Sequence, residues 1–193
     1  MKNFFAYLNR MKYIKRWSLM HSIQEENILE HSAQVAHIAN ALAVIKNTYF
    51  EGNIDINKIT TIALYHEASE VITGDLPTPI KYLNTSINLA YKEIEQKANQ
   101  KLIEDGLTVE MQDYYKSIIM CEKEEYILVK FADKISAYIK CVEELKSGNK
   151  EFNKAKNTIK KELDKIEEPA VQYFIENYLD AYSLSLDDLS IDL

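Results

Sequence analysis

The chain has 193 residues, 47% of them apolar, and its 30 acidic against 23 basic side chains leave a net charge of −7. That length and apolar content suit one core of ordinary domain size, while the acidic balance excludes a general nucleic-acid or anionic-membrane surface, either of which needs a basic patch. No run of about 18 apolar residues is present to span a bilayer, and the opening MKNFFAYLNRMKYIKRW is too short in apolar residues for a signal peptide.

Cys121 and Cys141 fall on helical sequence without a partner motif, so a soluble protein of a reducing cytoplasm is expected. Four glycines and three prolines beside abundant Ala, Leu, Ile, Lys and Glu describe long helices joined by short turns. The expected fold class is all-α, one domain over residues 1–193. A short helix is expected over Asn3–Lys12, then a connector holding Arg16 and Trp17. A long helix follows over Asn27–Asn47, with Asn27 as its cap, and a third over Asn57–Thr73, capped by Asp55 or Asn57 and ended by Gly74. After GDLPTP come helices over Tyr82–Ile103 and Thr108–Ile119 and the longest, very apolar one over Lys123–Leu145, which stops at SGN. Helices over Phe152–Ile166 and Ala170–Tyr182 complete the bundle, Pro169 starting the second, and the tail DDLSIDL is expected to fray.

Three of these helices carry residues out of keeping with an apolar face. His31 heads the stripe Val35, Ile38, Leu42 and Ile45, whereas His37 falls elsewhere. In the third helix His66 and Glu70 continue the stripe of Ile59, Ile62 and Ala63, with Glu67 beside His66. Asp133 lies within ILVKFADKISAYIKCV, where an uncompensated carboxylate would cost several kcal/mol. An ion pair with Lys130, Lys134 or Lys140 is one way to compensate it. A divalent cation shared by His31, His66, an adjacent acid and Asp133 is the other, with donors suited to Mn, Fe, Co, Ni, Zn or Mg.

The blocks RWSLM (Arg16–Met20), EHSAQVA (Glu30–Ala36), YHEASEVITGDLPTPIKY (Tyr65–Tyr82) and ADKISAYIKCVEEL (Ala132–Leu145) together resemble the HD-domain phosphohydrolases. Within that group the chain is most similar to the YfbR-like 5′-deoxynucleotidases. The family's order is His, a His-Asp pair, then a distant Asp; this chain departs from it in one place, with His66-Glu67 for His-Asp.

The resemblance implies an HD-type helical bundle, a homodimer, and one divalent metal held by His31, His66, Glu67 and Asp133. It implies a deoxyribonucleoside 5′-monophosphate substrate hydrolysed to deoxynucleoside and phosphate. Glu70 would manage the proton of water or leaving group, and Asp75 would serve the water or a sugar hydroxyl. Arg16 would bind phosphate, and Trp17 would stand beside the sugar and exclude a 2′-hydroxyl. Two other functions stay open on sequence alone: a dNTP triphosphohydrolase, and a degenerate module that binds nucleotide without turnover.

Overall fold

The computed structural model describes residues 1–81, 83–121 and 124–189. Among them there is no strand, only an isolated antiparallel bridge between Lys15 and Asn27. In chain order the helices are α1 (Phe4–Leu8), α2 (Ile28–Tyr49), α3 (Ile56–Tyr65), α4 (Glu70–Thr73), α5 (Thr78–Lys81), α6 (Thr85–Gly106), α7 (Val109–Ile119), α8 (Glu124–Lys146), α9 (Asn153–Leu163) and α10 (Pro169–Tyr178).

Helix α2 is the centre of the bundle, packed against α3, α8 and α10. Its stripe of Val35, Ile38, Leu42 and Ile45 is buried against Ile59 and Ile62 of α3, Leu128 and Ile135 of α8, and Phe174 of α10. Each such side chain contributes about 1.5–3 kcal/mol when fully removed from water, which makes this face the main source of stability. A second apolar cluster joins Phe4 to Ala68, Leu102, Ile103 and Leu107. Helix α6 runs past Ile103 to Gly106, where a Cβ would lie 3.0 Å from the Phe4 backbone, so the close approach of α1 favours glycine there.

The ends of the helices follow local chemistry. Asn27 Oδ1 accepts from the amides of Leu29 and Glu30 while the Glu30 carboxylate accepts from the Asn27 amide, a reciprocal cap. Asp55 caps α3 through the Lys58 amide. Gly74, at φ 72°, ends α4 in the left-handed region.

Three expectations are corrected. The helix expected over Asn57–Thr73 is two pieces, α3 and α4, joined by a tightened turn over residues 66–69. The first helix passes into a 3-10 turn at Asn9–Tyr13, and Thr78–Lys81 forms a helical turn where a loop was expected. The starts expected at Tyr82 and Lys123, and the end of the tail at Ser190–Leu193, lie outside the described residues.

Near the end of α8 a second polar feature is buried. Lys140 and Glu144, 3% and 1% exposed at their side chains, form an ion pair at 2.6 Å. Burial pushes the Glu144 carboxyl up, but Lys140, the amides of Ile23 and Gln24, and Asn149 outweigh it and hold it down to about 2. A depressed carboxyl stabilises the fold fully above its ordinary 4.5 and loses that contribution as pH falls toward 2. The shift is worth about 3 kcal/mol. Denaturant titrations of the wild type and Glu144→Gln at pH 6 and pH 3 should therefore show their stability difference shrinking by about 2 kcal/mol at the lower pH. An unchanged difference would mean that Glu144 gains nothing from being ionised in the fold.

Candidate metal centre

His31 lies in the first turn of α2 and is wholly buried. His66 ends α3, Glu67 follows in the tightened turn, and Asp133 stands midway along α8. One donor atom from each of the four falls within 4.8 Å of all the others. The two imidazole rings are 5.3 Å apart between centroids.

Hydrogen bonding fixes which ring nitrogens face this centre bare. His66 Nδ1 is 2.7 Å from the Ala63 carbonyl, which can only accept, so Nδ1 carries the hydrogen. Nε2 of a neutral His66 is then a lone pair, and it lies 3.1 Å from Glu67 Oε1. The Ser136 hydroxyl donates to Gln34 Oε1 and so accepts from His31 Nδ1 at 3.1 Å. His31 Nε2 is thereby also bare, 3.0 Å from Asp133 Oδ1. Despite these approaches, both Nε2 atoms are buried without a hydrogen-bond partner. Two lone pairs turned toward two carboxylates repel unless positive charge lies among them, and two nitrogens with two oxygens suit a borderline divalent cation. The donor set fits such an ion, and each ring is oriented through its other nitrogen, as metal-bound histidines are.

The surrounding charges shift each of these four groups. Burial and then Arg16 push the His31 pKa down, and Asp133 only partly opposes them. Burial pushes His66 down too, but Glu67 overbalances it and the net shift is upward. Against their own burial, Glu67 is held below the ordinary carboxylate range chiefly by His66, and Asp133 is held at about 2 chiefly by His31.

Glu70, 5% exposed, opens α4 beside Glu67; burial and then the Glu67 charge push its carboxyl well up, so it stays protonated against its neighbour. Asp75, in the loop after α4, is raised by burial more than Arg16 lowers it, and it also feels Glu67 and Asp133. Arg16 reaches the centre from the connector, with Nη1 2.7 Å from Glu26 Oε2 and Nη2 3.7 Å from Asp133 Oδ1.

Trp17 stands outside the four-residue cluster, its ring 5.3 Å from Phe152 and its buried Nε1 without a hydrogen-bond partner. Its φ of 58° is left-handed, a conformation costing of order 1–3 kcal/mol for a residue with a side chain. Tertiary contacts must hold it.

The lysine pairings considered for Asp133 do not form. Lys134 bonds Glu162, Lys140 bonds Glu144, and Lys130 lies over the Tyr126 ring. Asp133 is instead met by His31 and Arg16. Sequence reading also missed Glu26, the carboxylate that holds Arg16; no fixed spacing announces it, because the pair closes across a loop. Lys81 resembled a surface lysine in sequence, yet it is partly buried and bonds Glu95 at 2.9 Å, and against its burial its pKa is raised by Glu95 and then Glu67.

Comparison with known proteins places these features. A family model described as 5′-deoxynucleotidase YfbR-like matches residues 3–182. A protein of Yersinia pestis (strain Pestoides F) named 5′-deoxynucleotidase is 49% identical, covering 100% of this chain and 98% of its own. Another with that name, from Enterobacter sp. (strain 638), is 47% identical over 98% and 96% of the two chains. An HD-domain phosphohydrolase of Listeria innocua shares the fold with a TM-score of 0.82 at 23% identity, covering 93% of this chain and 88% of that one. A cyanophage S-2L HD phosphohydrolase, solved with dA and one catalytic Zn2+, shares it with a TM-score of 0.62 at 18% identity, over 91% and 96%.

Proposed function

The chain belongs to the YfbR-like 5′-deoxynucleotidase family, and from that membership we propose that it hydrolyses deoxyribonucleoside 5′-monophosphates to the deoxynucleoside and inorganic phosphate. The observation that carries this reading is the pair of buried Nε2 atoms that lack a hydrogen-bond partner and lie 3.1 and 3.0 Å from the carboxylates of Glu67 and Asp133.

His31, His66, Glu67 and Asp133 would hold one divalent cation, with Zn, Mn, Fe, Co, Ni and Mg all compatible with nitrogen and oxygen donors. The catalytic Zn2+ of the cyanophage neighbour supports a metal of this type. Such an ion supplies Lewis acidity to a phosphoryl oxygen and lowers the pKa of a water.

The chain's own groups divide the remaining work. Arg16 offers a planar guanidinium for a phosphate; its carboxylate partners keep it charged and oriented beside the donors. Glu70, next to Glu67, would take the proton that leaves the water or supply the one that joins the 5′-oxygen. Asp75 faces the same charges from the loop after α4 and serves the water or a sugar hydroxyl. Trp17 supplies the bulk that disfavours a 2′-hydroxyl. A homodimer accompanies this reading.

Phosphate release from deoxy- and ribonucleoside mono- and triphosphates, assayed against several divalent metals, tests the proposal. Deoxyribonucleoside monophosphates should be cleaved with little base preference, and dAMP should exceed AMP in kcat/KM by about 10-fold or more. Equal kcat/KM for dAMP and AMP would remove the role of Trp17, release of triphosphate from dATP would move the activity to another phosphorus, and nucleotide binding without turnover would leave a binding module.

A further inference from the structure

We propose that Glu144, acting with Lys140 and Asn149, is the positioning residue of the loop between Arg16 and Glu26, and that it governs substrate affinity and sugar selectivity through Arg16 and Trp17 without touching substrate. The proposal rests on the reading that those two residues meet the phosphate and the sugar.

The loop is closed at its neck by backbone bonds. The Arg16 amide donates to the Glu26 carbonyl at 2.9 Å, and the Ile28 amide donates to the Ile14 carbonyl at 3.0 Å. Its far side is not held by apolar packing, since Leu19 and Ile23 are 69% and 55% exposed. Polar side chains hold it instead. Glu144 accepts from the Ile23 amide at 2.9 Å and from the Gln24 amide at 3.0 Å, one carboxylate oxygen each. The Lys140 ammonium donates to the Gln24 carbonyl, and Asn149 Nδ2 donates to the His21 carbonyl and to Glu144, both at 2.7 Å. Backbone groups at three successive anchor points are thus satisfied by one buried carboxylate and its two partners.

Two further observations tie this anchor to the centre. Asp133, Ser136, Lys140 and Glu144 follow one another along α8 at spacings of three, four and four, the repeat of a single helix face. One rigid element therefore carries a cluster donor, the partner of His31 and the loop anchor. It fixes the register in which Arg16 stands 3.7 Å from Asp133. The left-handed backbone of Trp17 also persists only where its surroundings over-determine it, and the polar anchor of the loop adds to the packing of its ring on Phe152 in doing so.

The test compares wild type, Glu144→Gln, Asn149→Asp and Arg16→Ala as full-length proteins loaded with Mn2+. The first substitution puts an amide donor where two backbone donors point. The second keeps the oxygen that caps the Glu151 amide but sets a carboxylate against Glu144, leaving the ion pair with Lys140 in place.

For both loop variants, exchange of the Ile23 and Gln24 amides should accelerate, KM for dAMP should rise about tenfold, and the kcat/KM preference for dAMP over AMP should fall about tenfold, with Mn2+ affinity by calorimetry unchanged. A merely structural role would lower the active fraction, reducing kcat while leaving KM and sugar selectivity alone. That result, or faster exchange with unaltered kinetics, overturns the proposal. If Glu144→Gln fails to fold, Asn149→Asp decides. Arg16→Ala separates the layers: an unchanged KM there removes the phosphate reading itself, whereas a raised KM there with wild-type kinetics in the loop variants removes only the positioning role.

Discussion

Replacing Glu70 by glutamine is expected to lower kcat for dAMP by about 10²–10⁴-fold while KM stays within about threefold of wild type. The substitution preserves shape and can keep the local hydrogen bond. Burial and the Glu67 charge favour the acid form of Glu70, so an amide nitrogen can donate to the Glu67 carboxylate as that acid does. What glutamine cannot do is accept or release a proton at neutral pH. The four donors of the centre are untouched, and metal affinity measured by calorimetry should match wild type. Steady-state phosphate release, with metal saturation checked for each protein, supplies the kinetic comparison. Full turnover by Glu70→Gln would end its assignment as the proton-handling group, and loss of metal binding would recast it as a support for Glu67.

The parts of this molecule that local pattern describes were legible before any coordinates. The stripe of Val35, Ile38, Leu42 and Ile45 has helical period and is buried as the period requires. Asn27 followed by Glu30, and Gly74 after a helical run, are end signals whose physics is contained within a few residues.

The centre was legible for a different reason. Each donor looked out of place on an apolar face, and the resemblance supplied the order that joined them. The break at residues 66–69 was hidden because tertiary packing and a ring produce it. His66 Nδ1 takes the Ala63 carbonyl, and Ala68 is drawn into the cluster with Phe4 and Leu102. Asp133 shows the limit most plainly. Three lysines lay within seven positions, yet its partners come from Arg16 and His31, more than a hundred positions away. The Glu144 anchor joins residues more than a hundred positions apart in the same way, and no spacing rule on α8 could have found it.

At Glu67, shortening the side chain by Glu67→Asp is expected to preserve hydrolysis and alter the order of metal preference, while Glu67→Ala weakens metal affinity by at least about 10–100-fold. The family's signature has aspartate here, and the added methylene extends a straight side chain by about 1.3–1.5 Å. The fold accommodates that length. After α3 the chain tightens, with the Ala68 and Glu70 amides bonded to the Tyr65 and Glu67 carbonyls, and the Glu67 carboxylate still arrives 3.1 Å from His66 Nε2 within the four-donor cluster. A glutamate held there beside Asp133 adds repulsion that a cation would relieve, and among the chain's own groups its charge is offset chiefly by His66, then by His31 and a hydrogen bond with Glu70. The alanine variant keeps His31, His66 and Asp133, so its activity should return in part as metal concentration is raised. Calorimetric metal titrations of the wild type and both variants, run beside phosphate release from dAMP, distinguish a tuned site from a damaged one. If wild type neither binds a divalent ion nor cleaves dAMP while Glu67→Asp does both, Glu67 is a lesion and the chain binds nucleotide without turning it over.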